Sequence, residues 1–207
     1  MSDTLILYTN PVSRGRIARW MLEEIGAPYR TEVVEFGPAM KSPAFLAINP
    51  MGKVPAIRHG ETVVTECAAI CAYLADAFPE AGLAPPLAER GPYYRWLFFA
   101  AGPLEAAMTD RDLGMEPNVD QQGRVGYGSI EAVLDTLEIA VSEHEYIAGP
   151  QFTAADVYLG AHIGWGLKYG GLGPCPAFAD YWARVSSRPA YRRASELDDQ
   201  AKNKTHR

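Results

Sequence analysis

The stretch Asn49-Pro-Met-Gly-Lys-Val-Pro-Ala-Ile57 is followed by a helix start at Thr65-Glu-Cys-Ala-Ala-Ile-Cys-Ala-Tyr-Leu74. Pro55 stands between a glycine-containing turn and an apolar strand, where its ring nitrogen cannot donate to a sheet ladder. X-Pro is the one bond for which a cis peptide is cheap enough to be used in a fold. A cis Val54–Pro55 bond would turn the Val54 backbone outward, where its N–H and C=O can pair with an extended peptide.

The helix start that follows adds groups that recognise charge. Glu66 and Cys67 open this helix, and the free N–H groups of a helix start suit a carboxylate. The Glu66 carboxylate itself suits an ammonium group. A backbone edge, an anion-binding helix end and an acidic side chain together predict a site for a short peptide that carries both an ammonium and carboxylates.

These motifs resemble the glutathione S-transferases. The pattern NPxGKVPAI, followed by TE(S/C)xAIxxYL, is similar to the glutathione-binding half of that family, and Phe152-Thr-Ala-Ala-Asp-Val157 is similar to the capping box of its helical half. The resemblance runs from about residue 4 to about residue 190 in the same order and spacing. It implies an α+β protein, with an N-terminal thioredoxin-like domain at residues 1–79 and an all-helical C-terminal domain at residues 87–207.

The apolar periodicity predicts elements that fit this architecture. The first half is expected to hold strands at residues 5–8 and 29–34, helices at residues 13–26 and 68–78, and a hairpin at residues 55–64. A loop is expected at residues 37–43. After a linker at residues 79–86, only helices are expected, at residues 89–108, 125–145, from 153, 176–185 and 189–197. The polar residues 198–207 are expected to fray.

Composition excludes several classes of function. The 207 residues carry a net charge of −6 without a basic cluster, which argues against a nucleic-acid partner. The apolar runs are too short for a membrane span, and the N-terminus lacks the pattern of a secretory signal. Three cysteines without a disulfide spacing favour a reducing cytoplasm. The sequence offers no metal-binding constellation, so no metal is expected.

Ser13 is the candidate catalytic residue. Its position after Leu5-Ile-Leu-Tyr8 matches the serine of the serine-type members, whose hydroxyl points at the glutathione thiol. One hydrogen bond donated to a thiolate favours the charged form and lowers the pKa of the thiol. A plain helix N-cap is the alternative role for Ser13. Tyr8 is the rival for the thiol contact, because other members use a tyrosine, although a packing role is expected for it.

The resemblance also implies which residues bind glutathione. Glu66 would pair with the ammonium, and Cys67 stands where the family usually has serine, a better donor than a thiol. That departure leaves a redox role for Cys67 open. Lys41 and Lys53 are candidates for the glycine-end carboxylate, and Val54 and Pro55 supply the backbone edge. Met40 replaces a histidine that is common in serine-type relatives.

An apolar or electrophilic second substrate would bind in the helical half. Aromatic and sulfur-containing side chains at helical spacing are the candidates for its pocket, although such side chains also build ordinary cores. They are Tyr93, Trp96, Met108, Trp165 and Tyr169.

The resemblance implies a cytoplasmic, homodimeric glutathione S-transferase that acts in detoxification, with glutathione as its co-substrate and an electrophile as the second substrate. Two alternatives stay open at this point. One is a glutathione-dependent peroxidase or disulfide reductase, because a stabilised thiolate serves either reaction. The other is a binding module of the same fold without enzymatic activity.

Overall fold

The computed structural model describes residues 4–205 of the chain. Contacts divide the protein into two units, one that runs up to Leu83 and resumes at Ser187, and one that spans Ala84–Ser186. The first boundary falls inside the predicted linker at residues 79–86. The C-terminal segment groups with the first unit, although the predicted helical domain of residues 87–207 included it.

A four-stranded mixed sheet forms the centre of the first unit. The strands are β1 (Leu5–Thr9), β2 (Tyr29–Val33), β3 (Ala56–His59) and β4 (Thr62–Thr65), in the spatial order β2-β1-β3-β4. β1 is parallel to β2 and antiparallel to β3, and β3 is antiparallel to β4. The predicted thioredoxin-like fold class is confirmed.

Helices of the first unit cover this sheet and one another. They are α1 (Gly15–Ile25), the short α2 (Pro43–Leu46), α3 (Cys67–Ala77) and α9 (Pro189–Thr205). α1 ends, as predicted, at Gly26, whose φ of 69° suits a left-handed cap. The predicted loop at residues 37–43 instead contains a 3₁₀ turn, Pro38–Lys41, and leads into α2, because Ser42 caps α2 through the Phe45 N–H.

α9 corrects the expectation of a frayed tail at residues 198–205, because the helix continues to Thr205. Residues 206 and 207 of that predicted tail lie outside the described residues. Asp198 is buried and accepts a hydrogen bond of 2.8 Å from Arg19 of α1, which is also buried. Further ion pairs between α9 and α1 join Arg16 to Asp199 and Arg193 to Glu23. The partners of these polar residues lie far away in the sequence, so the periodicity of the tail alone could not predict their burial.

The second unit is helical. Its helices are α4 (Arg90–Phe99), α5 (Glu105–Asp112), α6 (Ile130–Glu143), α7 (Ala154–Tyr169) and α8 (Pro176–Ser186). α7 is buried on almost every side and begins at a capping box formed by Thr153 and Asp156, as the Phe152–Val157 motif predicts.

Two helix boundaries in this unit differ from the predictions. The single helix expected at residues 89–108 is interrupted by a π-helical turn at Ala100–Leu104, which contains Pro103. Proline lacks the N–H that a regular α-helical turn needs there. The helix expected at residues 125–145 begins only at Ile130, because Gly128 has a φ of 72° and Ser129 caps the helix through the Ala132 N–H.

Candidate functional site

The loop between β1 and α1 holds Ser13 in a tight turn. The buried Asn10 organises this turn, because its Nδ2 donates to the Val34 C=O at 3.1 Å and its Oδ1 accepts the Val12 N–H at 3.1 Å. The half-buried Ser13 hydroxyl donates to the Asn10 C=O at 2.7 Å and accepts the Gly15 N–H at 2.9 Å. Ser13 therefore supports the start of α1 from a position that is only half-buried. The role of Asn10 was missed, although an Asn-Pro pair directly after a strand is a recognisable turn signal.

The Val54–Pro55 peptide bond is cis, as the sequence predicts. The paired part of β3 begins at Ala56, so Val54 lies just beyond the end of the sheet ladder. The buried Asn49 shapes the loop before it, since its Nδ2 donates to the Lys53 C=O at 2.7 Å and its Oδ1 accepts the Met51 N–H at 3.0 Å. This confirms the interpretation of Asn49-Pro50 as a turn.

α3 begins with an unusual backbone conformation. Glu66 is exposed, and its φ of 64° makes it the one non-glycine residue of the described chain, residues 4–205, with a positive φ. Its side chain caps none of the helix N–H groups. Strained backbone of this kind gathers at ligand-binding and catalytic sites. This feature was not predictable from the residue type, because positive φ is ordinarily a property of glycine or asparagine.

Strand register and one thiol contact bring these three segments together. Ala56 pairs with Tyr8 of β1 on one side and with Thr65 of β4 on the other, so the residues that flank these strand ends share one edge of the sheet. The buried Cys67 donates through Sγ to the Arg14 C=O at 3.5 Å. The start of α3 is thereby joined to the loop that contains Ser13.

Of the two predicted lysines, Lys53 lies on the loop that precedes Pro55, and Lys41 ends the 3₁₀ turn before α2. Lys53 is exposed, and Lys41 donates through Nζ to the Met51 C=O at 2.9 Å. Met40 is buried, and Gly52, with a φ of 59°, approaches its carbonyl so closely that a Cβ there would lie 2.5 Å from the oxygen. Position 40 therefore serves the packing of this loop, and the roles of the lysines stay predictions.

Tyr8 packs against another aromatic side chain. Its ring centroid lies 6.2 Å from that of Phe45, and the side chain is half-buried. The expected packing contact of Tyr8 is therefore present, and whether Ser13 or Tyr8 contacts a thiol stays a prediction.

The five candidate pocket residues occupy three helices of the second unit. Tyr93 and Trp96 of α4 are buried, Met108 of α5 and Trp165 of α7 are half-buried, and Tyr169 is 75% exposed. Met108 accepts a hydrogen bond from Arg111 at 3.3 Å and packs so close to Gly171 that a Cβ there would lie 2.5 Å from its methyl carbon. The burial of Tyr93 and Trp96 favours a core role for them, and the pocket stays a prediction.

Two kinds of feature are absent from the described residues, 4–205. These residues contain no group of three or more His, Cys, Asp or Glu side chains that could hold a metal ion. None of their helices is long and apolar enough to cross a membrane.

Comparison with known proteins identifies the family. Residues 14–77 match the family described as glutathione S-transferase, N-terminal domain. The glutathione S-transferase GstA of an Escherichia coli strain is 31% identical over 157 residues, which are 70% of this chain and 73% of that protein. The chain belongs to the glutathione S-transferase family. A second Escherichia coli relative, the disulfide-bond oxidoreductase YghU, is 29% identical over 91% of this chain and 73% of its own length.

Solved structures of glutathione transferases share the fold of the whole chain. The glutathione transferase of Methylococcus capsulatus superposes with a TM-score of 0.78 at 27% identity, covering 95% of this chain and all of that one. The theta-class enzyme of Xanthomonas axonopodis pv. citri, whose structure contains glutathione, has a TM-score of 0.73 at 25% identity and covers 93% and 97% of the two chains.

Proposed function

We propose that this protein is a glutathione transferase in which Ser13 stabilises the thiolate of bound glutathione. The thiolate attacks an electrophilic carbon of a hydrophobic second substrate. The sulfur–carbon bond forms while the leaving group departs with its bonding electrons, and the thiol proton passes to solvent. The observation that carries this proposal is the position of the half-buried Ser13 at the edge where the Val54 backbone and the start of α3 also lie.

Ser13 can redirect its hydrogen bond at low cost. Its hydroxyl donates to the Asn10 C=O, but that carbonyl also accepts the Ser13 backbone N–H at 3.0 Å. When the hydroxyl turns to a thiolate, Asn10 keeps one partner, and the Gly15 N–H can continue to bond to Oγ. No buried carbonyl is left without a donor, which would cost free energy.

Glutathione would be held by the groups around Ser13. The Val54 backbone would pair with the central part of the peptide, and the carboxylate of its glutamyl end would meet the N–H groups at the start of α3, where Cys67 is the first helical residue. Glu66 is exposed and would pair with the ammonium group. Lys41 and Lys53 would face the other carboxylate.

The substitution Ser13→Ala tests the proposal. A hydrogen bond to a charged group is worth roughly 1.5–3 kcal/mol, so turnover should fall by about 10- to 150-fold, and the pKa of the bound thiol should rise. Stopped-flow turnover of a model aromatic halide and the ultraviolet absorbance of the thiolate measure the two effects.

Ser129→Ala is the matched control, because Ser129 also bonds to the backbone at a helix start, 3.2 Å from the Ala132 N–H of α6. It should lower stability slightly and leave turnover unchanged. Full activity in Ser13→Ala, with loss of activity in Tyr8→Phe, would assign the thiol contact to Tyr8.

Reduction of peroxides or disulfides is the second candidate function. The similarity to YghU, named as a disulfide-bond oxidoreductase, favours it, and a stabilised thiolate suits it equally well. Turnover of an aromatic halide, an organic peroxide and a small disulfide should be compared side by side. Retention on immobilised glutathione without any turnover would instead indicate a binding module.

The second substrate would bind to the helical unit, with Met108, Trp165 and Tyr169 as its lining. Met108 and Trp165 are half-buried and Tyr169 is largely exposed, so their apolar surface is available to a ligand.

We also propose a cytoplasmic location, which the three free thiols, Cys67, Cys71 and Cys175, support.

A homodimer is proposed from the two faces of α4. Trp96 and Leu97 are buried inside the unit, whereas Phe98 is 71% exposed and Tyr94 is 40% exposed. An apolar face of this kind on a helix that already packs on its other side needs a second surface, and a symmetric pair is the commonest solution. Light scattering at micromolar concentration should give twice the chain mass of 22.6 kDa. Phe98→Glu should shift the protein to monomer, and a wild-type monomer would remove the proposal.

A further inference from the structure

Thr9 is a buried polar residue that the proposed reaction does not yet use. It is the last residue of β1, its side chain has no exposed surface, and its Oγ1 has no hydrogen-bond partner within the described part of the chain. Its backbone is paired, because the Val34 N–H donates to the Thr9 C=O at 2.8 Å. A buried hydroxyl without a partner costs free energy. Its presence therefore calls for a reason other than stability.

The unpaired hydroxyl lies beside the start of α1, where Ser13 is held. A Cβ built on Gly15 would lie 1.9 Å from Thr9 Oγ1 and 3.0 Å from Ser13 Oγ. The two hydroxyls therefore flank the same glycine. The Thr9 hydroxyl occupies the place that a side chain at position 15 would take, so glycine is required for it to approach the start of α1.

Ser13 Oγ has room for another donor. A hydroxyl oxygen has two lone pairs and one hydrogen. One lone pair accepts the Gly15 N–H, and the hydrogen is given to the Asn10 C=O. No donor within residues 4–205 forms a hydrogen bond to the second lone pair of Ser13 Oγ.

We propose that Thr9 is a positioning residue that supports Ser13 in the glutathione-bound state, an inference that rests on the proposed function. When Ser13 turns its hydrogen from Asn10 to the glutathione sulfur, the Thr9 hydroxyl donates to the second lone pair of Ser13 Oγ. Hydrogen bonds in a chain polarise one another. The chain of hydrogen bonds from Thr9 to Ser13 and from Ser13 to the glutathione sulfur therefore makes Ser13 a stronger donor and favours the thiolate.

Thr9→Val separates this role from packing, because valine has the shape of threonine without its hydroxyl. The thermal midpoint should stay equal or rise, since an unpaired buried hydroxyl is removed. The value of kcat/KM should nevertheless fall by about 2- to 10-fold, and the pH profile of kcat/KM should move upward, because the pKa of the bound thiol rises. Thr9→Ser, which keeps the hydroxyl, should retain the wild-type pH profile.

A double-mutant cycle with Ser13→Ala decides whether Thr9 acts through Ser13. Thr9→Val should have no further effect on thiol ionisation once the serine hydroxyl is gone, as followed by the ultraviolet absorbance of bound glutathione. An unchanged pH profile in Thr9→Val, or an equal effect with and without Ser13, would overturn the positioning role alone. Wild-type thiol ionisation in Ser13→Ala itself would instead overturn the proposed function.

Discussion

The starts of α7 and α3 each carry an acidic residue, and the two starts are built in opposite ways. At α7, Asp156 is fully buried and its two oxygens accept from the Ile147 and Thr153 N–H groups and from the Thr153 and Tyr181 hydroxyls. At α3, Glu66 is exposed, has a φ of 64° and caps nothing. One start is closed by its own side chains and the other is open.

The capped start of α7 serves stability, whereas the uncapped start of α3 is suited to binding. The first N–H groups of any helix lack partners inside the helix. The capping box of Thr153 and Asp156 supplies partners from within the α7 start. At α3 the Glu66 side chain makes no capping hydrogen bond, so these groups remain available to a ligand carboxylate. An uncapped helix start with a strained residue therefore indicates a binding site. A helix start that is capped by its own side chains indicates a stabilising role.

The largest effect is expected at the closed start. Asp156→Ala would leave four buried donors without their acceptor, so the free energy of unfolding should fall by roughly 3–5 kcal/mol. Burial raises the pKa of the Asp156 carboxyl, and the four hydrogen bonds oppose that rise. Urea-induced unfolding measures the loss.

Asp156→Asn is the matched control, because it keeps one acceptor oxygen and the size of the side chain. It should cost less than Asp156→Ala. A folded, stable Asp156→Ala variant that binds glutathione but has lost turnover would show that the closed start also serves chemistry.

The closed start was predictable from the sequence. For the open start, the sequence predicted the free N–H groups but not the backbone conformation of Glu66. The spacing of Thr153 and Asp156 is a local pattern, and so is the position of Gly26 after α1. The conformation of Glu66 depends on what β4 and α3 impose on either side of it, and no local preference of glutamate announces it. Local sequence patterns thus predict the caps at helix ends better than they predict strained backbone.

Two further features were not predicted from the sequence for the same reason, because they depend on tertiary packing and not on a local pattern. Asp198 looks like a residue of a polar tail, but it is buried and paired with Arg19, 179 positions away. The unpaired hydroxyl of Thr9 arises from the packing of β1 against Gly15. The motifs around Val54 and Cys67 predicted which segments meet, but not which groups inside them are left without partners.

A smaller effect is expected at the open start. Glu66→Gln removes the charge that would pair with the ammonium, so the dissociation constant for glutathione should rise by roughly 10-fold, which is about 1.4 kcal/mol. Cys67→Ser keeps the backbone N–H and offers a better donor, so it should change binding by less than about 3-fold. Isothermal titration of glutathione into both variants compares them. An equal or larger loss in Cys67→Ser would show that the thiol itself takes part, as a redox role requires.

The smallest effect concerns the backbone of the open start itself. Because the φ of Glu66 is 64°, Glu66→Gly should be more stable than Glu66→Ala, since glycine adopts positive φ without a Cβ clash. Glycine is also the better N-cap in general, so the same pair of substitutions is needed at Ser129, where φ is −129° and any residue fits. The glycine-over-alanine advantage should be larger at position 66 by roughly 0.5–1 kcal/mol.

Thermal unfolding of the four variants measures this excess directly. The two Glu66 variants should bind glutathione equally weakly, because both lack the carboxylate. An equal glycine advantage at the two helix starts would mean that Glu66 stores no strain. The open start of α3 would then be explained by the missing side-chain cap alone, and the positive φ would carry no information about binding.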